Sequence, residues 1–286
     1  MNILNTWQFN LVGYLICIVL FFQFYKLAVR HAIKDGAATI LLQAIAGISV
    51  LVLSPFLAFK FPTDIKFYLL LIGACIFYAL NDRLQTTARK HLEVSVFSII
   101  NQLSNVFLIV IGILVFRETL AIHKILGAAL ILCGNALLFY KKQRFELNRY
   151  SILAIVATAA FATAISIDIG ISKQFNLPFY IMLTLIIPAL FVMLAERIQL
   201  REVVAEYLSD AKNYYLATGI SWGLVIFFSL RAYQLGEVTT VVPLQATAVL
   251  LNVVVAFVLL KERDNLGKKL LATFLVIAGI YATVLL

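Results

Sequence analysis

The sequence predicts an all-α integral membrane protein, with ten transmembrane helices arranged as two inverted five-helix repeats. Three observations predict it. Hydrophobic residues make up 63% of the 286 and the mean hydropathy is +1.00. A soluble domain carries ~45–50% apolar residues, so a soluble fold of this chain would have more apolar surface than it could bury. Charged residues, only 13% of the chain, punctuate apolar runs of membrane-spanning length. The two halves also repeat one another at an offset of 144 residues (237 minus 93).

A spanning helix needs ~20 apolar residues at 1.5 Å each to cross ~30 Å of hydrocarbon. Ten runs of that kind lie near 8–29, 37–59, 66–88, 93–116, 121–140, 150–172, 178–197, 213–234, 238–260 and 266–285. They are long and lack strand-like alternation, so their period is helical. Lys, Arg or turn residues close them, as at Arg30–Gly36, Lys60–Asp64 and Lys141–Arg149. Beside ten such helices no soluble domain fits. Disorder is excluded by the same composition, since disordered chains are poor in aliphatics and rich in charge. The first run has no Lys or Arg ahead of it and no A-x-A site after it, so a cleavable signal peptide is not expected. Cys17, Cys75 and Cys133 sit in three separate apolar runs and read as small buried hydrophobes, not as a disulfide framework or metal site. Pro55, Pro188 and Pro243 each interrupt a span and read as kinks or hinges.

Positive charge is shared unevenly between the two faces. Of the 23 Lys and Arg, 17 lie in or beside the loops after helices 1, 3, 5, 7 and 9, and 6 on the other face. Positively charged loops stay cytoplasmic. The count therefore predicts a multi-pass protein of the cell (plasma or inner) membrane with both termini outside the cytoplasm. The net charge of +9 needs no nucleic-acid partner, because juxtamembrane loops over anionic lipid carry such charge.

The repeat is carried by matched residues. Glu93-Val-Ser opens a run that ends in Arg117-Glu118, and Glu237-Val-Thr opens one that ends in Lys261-Glu262; the glutamates are 25 residues apart in both. Asn101 matches Gln245, and Tyr78 matches Trp222. Gly127 and Gly134 answer more loosely to Ala272 and Gly279. Five helices per half is an odd number, so the second half must enter from the opposite side, as in many secondary transporters. The predicted repeats are 1–146 and 147–286. Glu118 and Glu262 are expected to cap the helix that follows each, since carboxylates favour helix N-termini.

Ten helices, a basic-Glu pair closing helices 4 and 9, and a Gly-rich helix after each resemble the EamA family of the drug/metabolite transporter superfamily. The resemblance covers essentially the whole chain. It implies a transporter that binds a small molecule, with a lipid bilayer around it and protons or a counter-substrate as possible coupling partners. Two departures stand out. Family members often carry proline about thirteen residues before the closing glutamate, where this chain has Asn105 and Val249. Members usually keep both termini in the cytoplasm, opposite to the charge count.

Candidate site residues fall into two sets. Tyr78, Asp82 and Gln85 are spaced four and three apart and share one face of helix 3. Asn101 and Gln102 form a polar cluster in helix 4, while Trp222 and Gln245 come from helices 8 and 9. Pocket walls need a few polar groups amid aromatic surface, so Tyr78, Asn101, Gln102, Trp222 and Gln245 are the expected substrate-binding residues. Isolated Asn135 and Asn252 read instead as interhelical glue. The second set is ionisable. Lys26, Asp82, Asp168 and Arg231 lie in or near the hydrocarbon, where charge is costly and tends to pair or line cavities. Pairs Lys26–Asp82 and Asp168–Arg231 would close the two mouths, with Asp82 as the expected proton-coupling acid. The bland alternative is that the cations snorkel and the aspartates bond neighbouring hydroxyls.

Enzyme chemistry finds little support. His31, His91 and His123 stand at loop edges without a second ligand at metal spacing, and no Walker or phosphate loop is present. No cofactor or metal is expected. The reading is a secondary active transporter of a small organic metabolite, amino-acid-like or amphiphilic, working by alternating access. Alternatives are a flippase for lipid-linked sugars or other amphiphiles, and a non-transporting structural membrane subunit.

Overall fold

The structure, a computed structural model, describes residues 5–29, 33–92, 94–119, 121–139, 148–260 and 266–285, all of them helix, turn or coil with no strand. The α-helices are α1 (Trp7–Val29), α2 (Asp35–Leu51), α3 (Ile65–His91), α4 (Val94–Asn101), α5 (Leu103–Leu114), α6 (Ile122–Phe139) and α7 (Arg149–Ile171). They continue with α8 (Leu177–Ala195), α9 (Leu200–Tyr207), α10 (Lys212–Leu235), α11 (Val238–Ala246), α12 (Ala248–Leu260) and α13 (Leu266–Leu285). Among the described residues seven helices are long and apolar enough to cross a membrane, and three shorter apolar helices span Ile122–Leu138, Val238–Asn252 and Leu270–Thr283. The chain is a multi-pass membrane protein.

Three differences from the sequence expectation have physical causes. The spans expected at 93–116 and 238–260 are each interrupted by a single turn residue, Gln102 and Thr247, whose backbone stays in the right-handed helical region. The helix expected over 37–59 ends at Leu51 and passes into a 3-10 turn, Ser54–Phe56, because Pro55 has no N–H to donate back to Leu51. An additional helix, α9, stands where a loop was expected. It is capped by Gln199 and Glu202, each side chain bonding the other's backbone N–H. Pro188 lies inside α8 and leaves its run from Leu177 to Ala195 unbroken.

The chain divides into two compact units, residues 1–79 with 167–234, and residues 80–166 with 235–286. Each unit therefore draws on both of the repeats expected at 1–146 and 147–286.

In the first unit α2 packs along α8 and against α9, with Ala38, Leu41, Leu42, Ile198, Val203 and Tyr215 in its core. Glu206 of α9 is fully buried. It accepts the Lys34 backbone N–H at 2.5 Å and the Tyr215 hydroxyl at 2.9 Å, so it supplies an acceptor to the start of α2, where backbone donors lack helical partners. Gly223 lets α10 touch α2, since a Cβ there would lie 2.6 Å from the Ala46 carbonyl oxygen. Buried Asn176 ties the turn after α2 to the start of α8. It accepts from the Ser54 hydroxyl and the Phe179 N–H and donates to the Ser54 and Ala58 carbonyls.

In the second unit α6 and α13 lie antiparallel along their whole length. A Cβ on Gly127 would come within 2.7 Å of the Gly279 carbonyl oxygen, and one on Gly134 within 3.0 Å of that of Ala272. Small residues allow such backbone approach, which is how helices gain packing in a bilayer that offers no hydrophobic driving force between them. Here α11 packs against both α5 and α6, and a small cluster of Ala88, Phe97, Ile100 and Ala154 fills the space near α4.

Candidate functional site

Polar side chains of the second unit gather where helix 4 breaks. The amide of Gln85 donates to the side-chain oxygens of both Asn81 (3.0 Å) and Asn101 (3.1 Å), and Asn81 donates to Asp82 at 3.1 Å. Gln85, Asn81 and Asn101 are thus brought together, with Asp82 at the end of the chain. Gln102 accepts from Asn105 at 3.1 Å. Among the described residues the Asn101 Nδ2 and Gln102 Nε2 groups have no protein acceptor. Both residues are half-buried, so these N–H groups are free to meet an acceptor from a bound molecule.

The break itself is local. Between α4 and α5 the Asn105 N–H bonds back three residues to Gln102, and the carbonyl of Asn101 takes the Ser104 hydroxyl at 2.7 Å instead. The break between α11 and α12 is similar. Thr247 N–H bonds back to Leu244, and the carbonyl left over at Ala246 receives the Asn135 amide at 2.8 Å. Asn135 is therefore glue between helices, as expected, whereas Asn252 bonds Ala248 of its own helix. Gln245, from the end of α11, is buried. The two breaks fall 145 residues apart (247 minus 102), within one residue of the repeat offset.

The N-terminus of α11 is held by Glu118. Its two oxygens accept the backbone N–H groups of Val238 (2.7 Å) and Thr239 (2.8 Å), which satisfies two of the orphan donors of that helix. This corrects the expectation that Glu118 caps the helix following it, α6. Arg117 beside it adopts a left-handed φ of 53°, which turns the chain so that the carboxylate points at α11. Gly112 leaves room: a Cβ there would lie 3.2 Å from a Glu118 oxygen. Lys124 also pairs with Glu237 immediately ahead of α11. Glu93 and Glu262 lie outside the described residues.

In the first unit Asp168 is 2% exposed. Its Oδ2 accepts the Tyr78 hydroxyl and its Oδ1 the Tyr180 hydroxyl, both at 2.6 Å. The expected Asp168–Arg231 pair is not formed. Arg231 instead donates to Gln234 (3.2 Å) and Asn5 (3.0 Å), since a half-buried cation near a helix end reaches polar oxygens without crossing apolar core. Trp222 packs on Phe21 with centroids 4.7 Å apart, extending an aromatic group with Tyr25. The Lys26 side chain, and with it the expected Lys26–Asp82 pair, lies outside the described residues. Sequence reasoning missed Tyr180, Asn81 and Asn176. Of these only Asn81 carried a signal, as it is four residues from Gln85 and so shares its helical face.

Two carboxylates outside the spans have perturbed acidity. The Gln199 N–H and the Lys34 ammonium hold Glu202 below the ordinary glutamate range, and Lys66 does the same for Asp64. No group of three or more His, Cys, Asp or Glu able to hold a metal occurs among the described residues.

Residues 4–140 match the EamA-like transporter family. No curated protein matches the chain. A solved structure described as a crystal structure of a protein superposes with a TM-score of 0.75 over 95% of both chains at 14% sequence identity. At that identity the similarity shows a shared fold and nothing of function.

Proposed function

We propose that this chain, whose residues 4–140 match the EamA-like transporter family, is a secondary active transporter working by alternating access. Its cargo is a small organic metabolite, amino-acid-like or amphiphilic. Ten spans form two inverted five-helix repeats, and both termini lie outside the cytoplasm of a plasma or inner membrane. The observation that carries this is the pair of interrupted helices at Gln102 and Thr247. Discontinuous helices in matching positions of two halves mark the binding site of many secondary transporters.

The packing of α6 on α13 supports the repeat. Shifting by 145 residues turns Gly127 into Ala272 and Gly134 into Gly279. The contact of Gly127 with Gly279 then becomes that of Ala272 with Gly134, so the pattern maps onto itself. A two-fold axis between antiparallel mates has that property.

Asn101 and Gln102 offer N–H donors to a carboxylate, carbonyl or hydroxyl, and Gln245, Tyr78 and Trp222 complete the proposed substrate-binding set. Lys26, Asp82, Asp168 and Arg231 are proposed as gating or coupling groups. Counterflow of labelled amino acids and amphiphiles in proteoliposomes tests the reading. Exchange by the wild type supports it, and its absence for every such compound favours a structural subunit. A flippase would show itself by moving fluorescent lipid between leaflets. For topology, a reporter fused after Leu286 should be reachable from outside the cell; access from the cytoplasmic side alone would invert the charge-derived orientation.

A further inference from the structure

We propose that Asp168 is a proton-binding site, loaded and unloaded through the Tyr78 hydroxyl, and that this proton is the one coupled to transport. The coupling rests on the transporter reading above, while the proton site itself rests on geometry.

The groups facing Asp168 are few. From α3 come Tyr78 and the Cys75 thiol, and from α8 comes Tyr180. None of them is a cation, so among the described residues the buried carboxylate has two phenols for partners and no counter-charge. An unpaired charge in an apolar span is costly, and the cost falls when it takes up a positive charge. Size selects which one. Both oxygens are already engaged at 2.6 Å, and Tyr180 and Cys75 are fully buried. A metal ion or an ammonium group would have to displace a phenol, whereas a proton needs no added space.

The phenols suit both states of the acid. When Asp168 is ionised each hydroxyl donates to one oxygen. When it is neutral its own O–H donates to one phenol oxygen, whose hydrogen turns away, because a phenol both donates and accepts. Loading is a relay. The Tyr78 O–H passes its proton to Oδ2 as the phenolic oxygen takes one from a hydronium ion, which leaves as water, or from a protonated substrate group, which leaves as its conjugate base. One O–H bond forms on Asp168, the one on Tyr78 is broken and remade, and the site goes from charge −1 to 0. The relay needs one of the two phenols, and Tyr78 is the one whose side chain the protein does not wholly enclose. Since Tyr78 is also a proposed substrate-binding residue, the proton and the cargo meet at one side chain. Asp82, the acid expected to couple, is half-buried and takes an amide N–H from Asn81.

Infrared difference spectroscopy of the full chain in lipid nanodiscs, titrated from pH ~4 to ~10, tests the site without any substrate. A protonated-carboxyl band should appear on acidification, vanish in Asp168→Asn and persist in Asp82→Asn. In Tyr180→Phe, which keeps the acid, its midpoint should move, and in Tyr78→Phe proton uptake after a pH jump should slow at least several-fold. A band retained unchanged in Asp168→Asn, or absent from the wild type across the range, overturns the proposal. Because no cargo is involved, failure here is distinct from failure of the transporter reading, which counterflow decides. If the wild type exchanges cargo, Asp168→Asn should lose uphill transport driven by a pH gradient.

Discussion

The unit of residues 1–79 and 167–234 holds the buried acid of α7, Asp168, between two tyrosine hydroxyls. The unit of residues 80–166 and 235–286 holds Glu118 on two backbone N–H groups at the start of α11. Backbone donors cannot turn round, and the positive end of a helix favours a fixed negative charge. Hydroxyls can rotate and accept as well as donate. One carboxylate is therefore an anchor and the other is built to change state. What surrounds a buried acid says more about its task than its depth does.

This contrast can be broken at several points. The largest expected effect belongs to the helix pair that supports the anchor. Gly127→Leu or Gly279→Leu would push side chain into the facing backbone, which has no slack, and should cost about 3 kcal/mol or more. Purified yield and melting temperature in detergent report it. Gly170→Ala, where an added Cβ meets nothing within 4 Å, should change stability by no more than ~0.5 kcal/mol.

Next comes the anchor. Glu118→Ala strands two N–H groups and should lower stability by ~1–3 kcal/mol, with Glu118→Gln in between. Equal melting temperatures for all three would mean that the cap carries no weight. A comparable but separable effect is expected at the helix breaks. Asn135→Leu leaves the Ala246 carbonyl unpaired and should lower melting temperature. Asn101→Leu or Gln245→Leu should weaken cargo binding by ~1–3 kcal/mol while the protein still folds.

The smallest effect is at the surface. Glu202 is held below its ordinary range by the Gln199 N–H and by Lys34, so its contribution is present above the unfolded carboxylate value. That contribution is lost as pH falls through the lower folded one. Being exposed and salt-screened, it should appear only as a slight fall in melting temperature in acid, removed in Glu202→Gln.

The apolar runs were legible because bilayer thickness imposes their length, and among the described residues seven helices are long and apolar enough to span. The glutamate spacing is what suggested the proposed repeat. The breaks were not legible. Gln102 has no proline or glycine beside it, and Pro243 lies four residues ahead of Thr247. Helix α9 escaped notice because eight residues make too short a run to read against membrane length. The partners of both acids are non-local: Glu118 meets residues 120 and 121 positions away, and Tyr78 meets Asp168 across 90. Charge alone suggested Arg231 for Asp168 and the neighbouring helix for Glu118. The alternative reading, that the aspartates bond neighbouring hydroxyls, describes Asp168. Glu118 does cap a helix N-terminus, though that of a helix distant in sequence.

The most direct test of the central claim, that a small organic molecule is moved through a site at the paired helix breaks, is counterflow in proteoliposomes. Wild type, Asn101→Leu and Gln245→Leu would be compared at matched melting temperature. The account predicts exchange of at least one labelled amino-acid-like or amphiphilic compound by the wild type and a loss of about five-fold or more in apparent affinity in each variant. Exchange at full affinity in both variants, or none by the wild type, would contradict it.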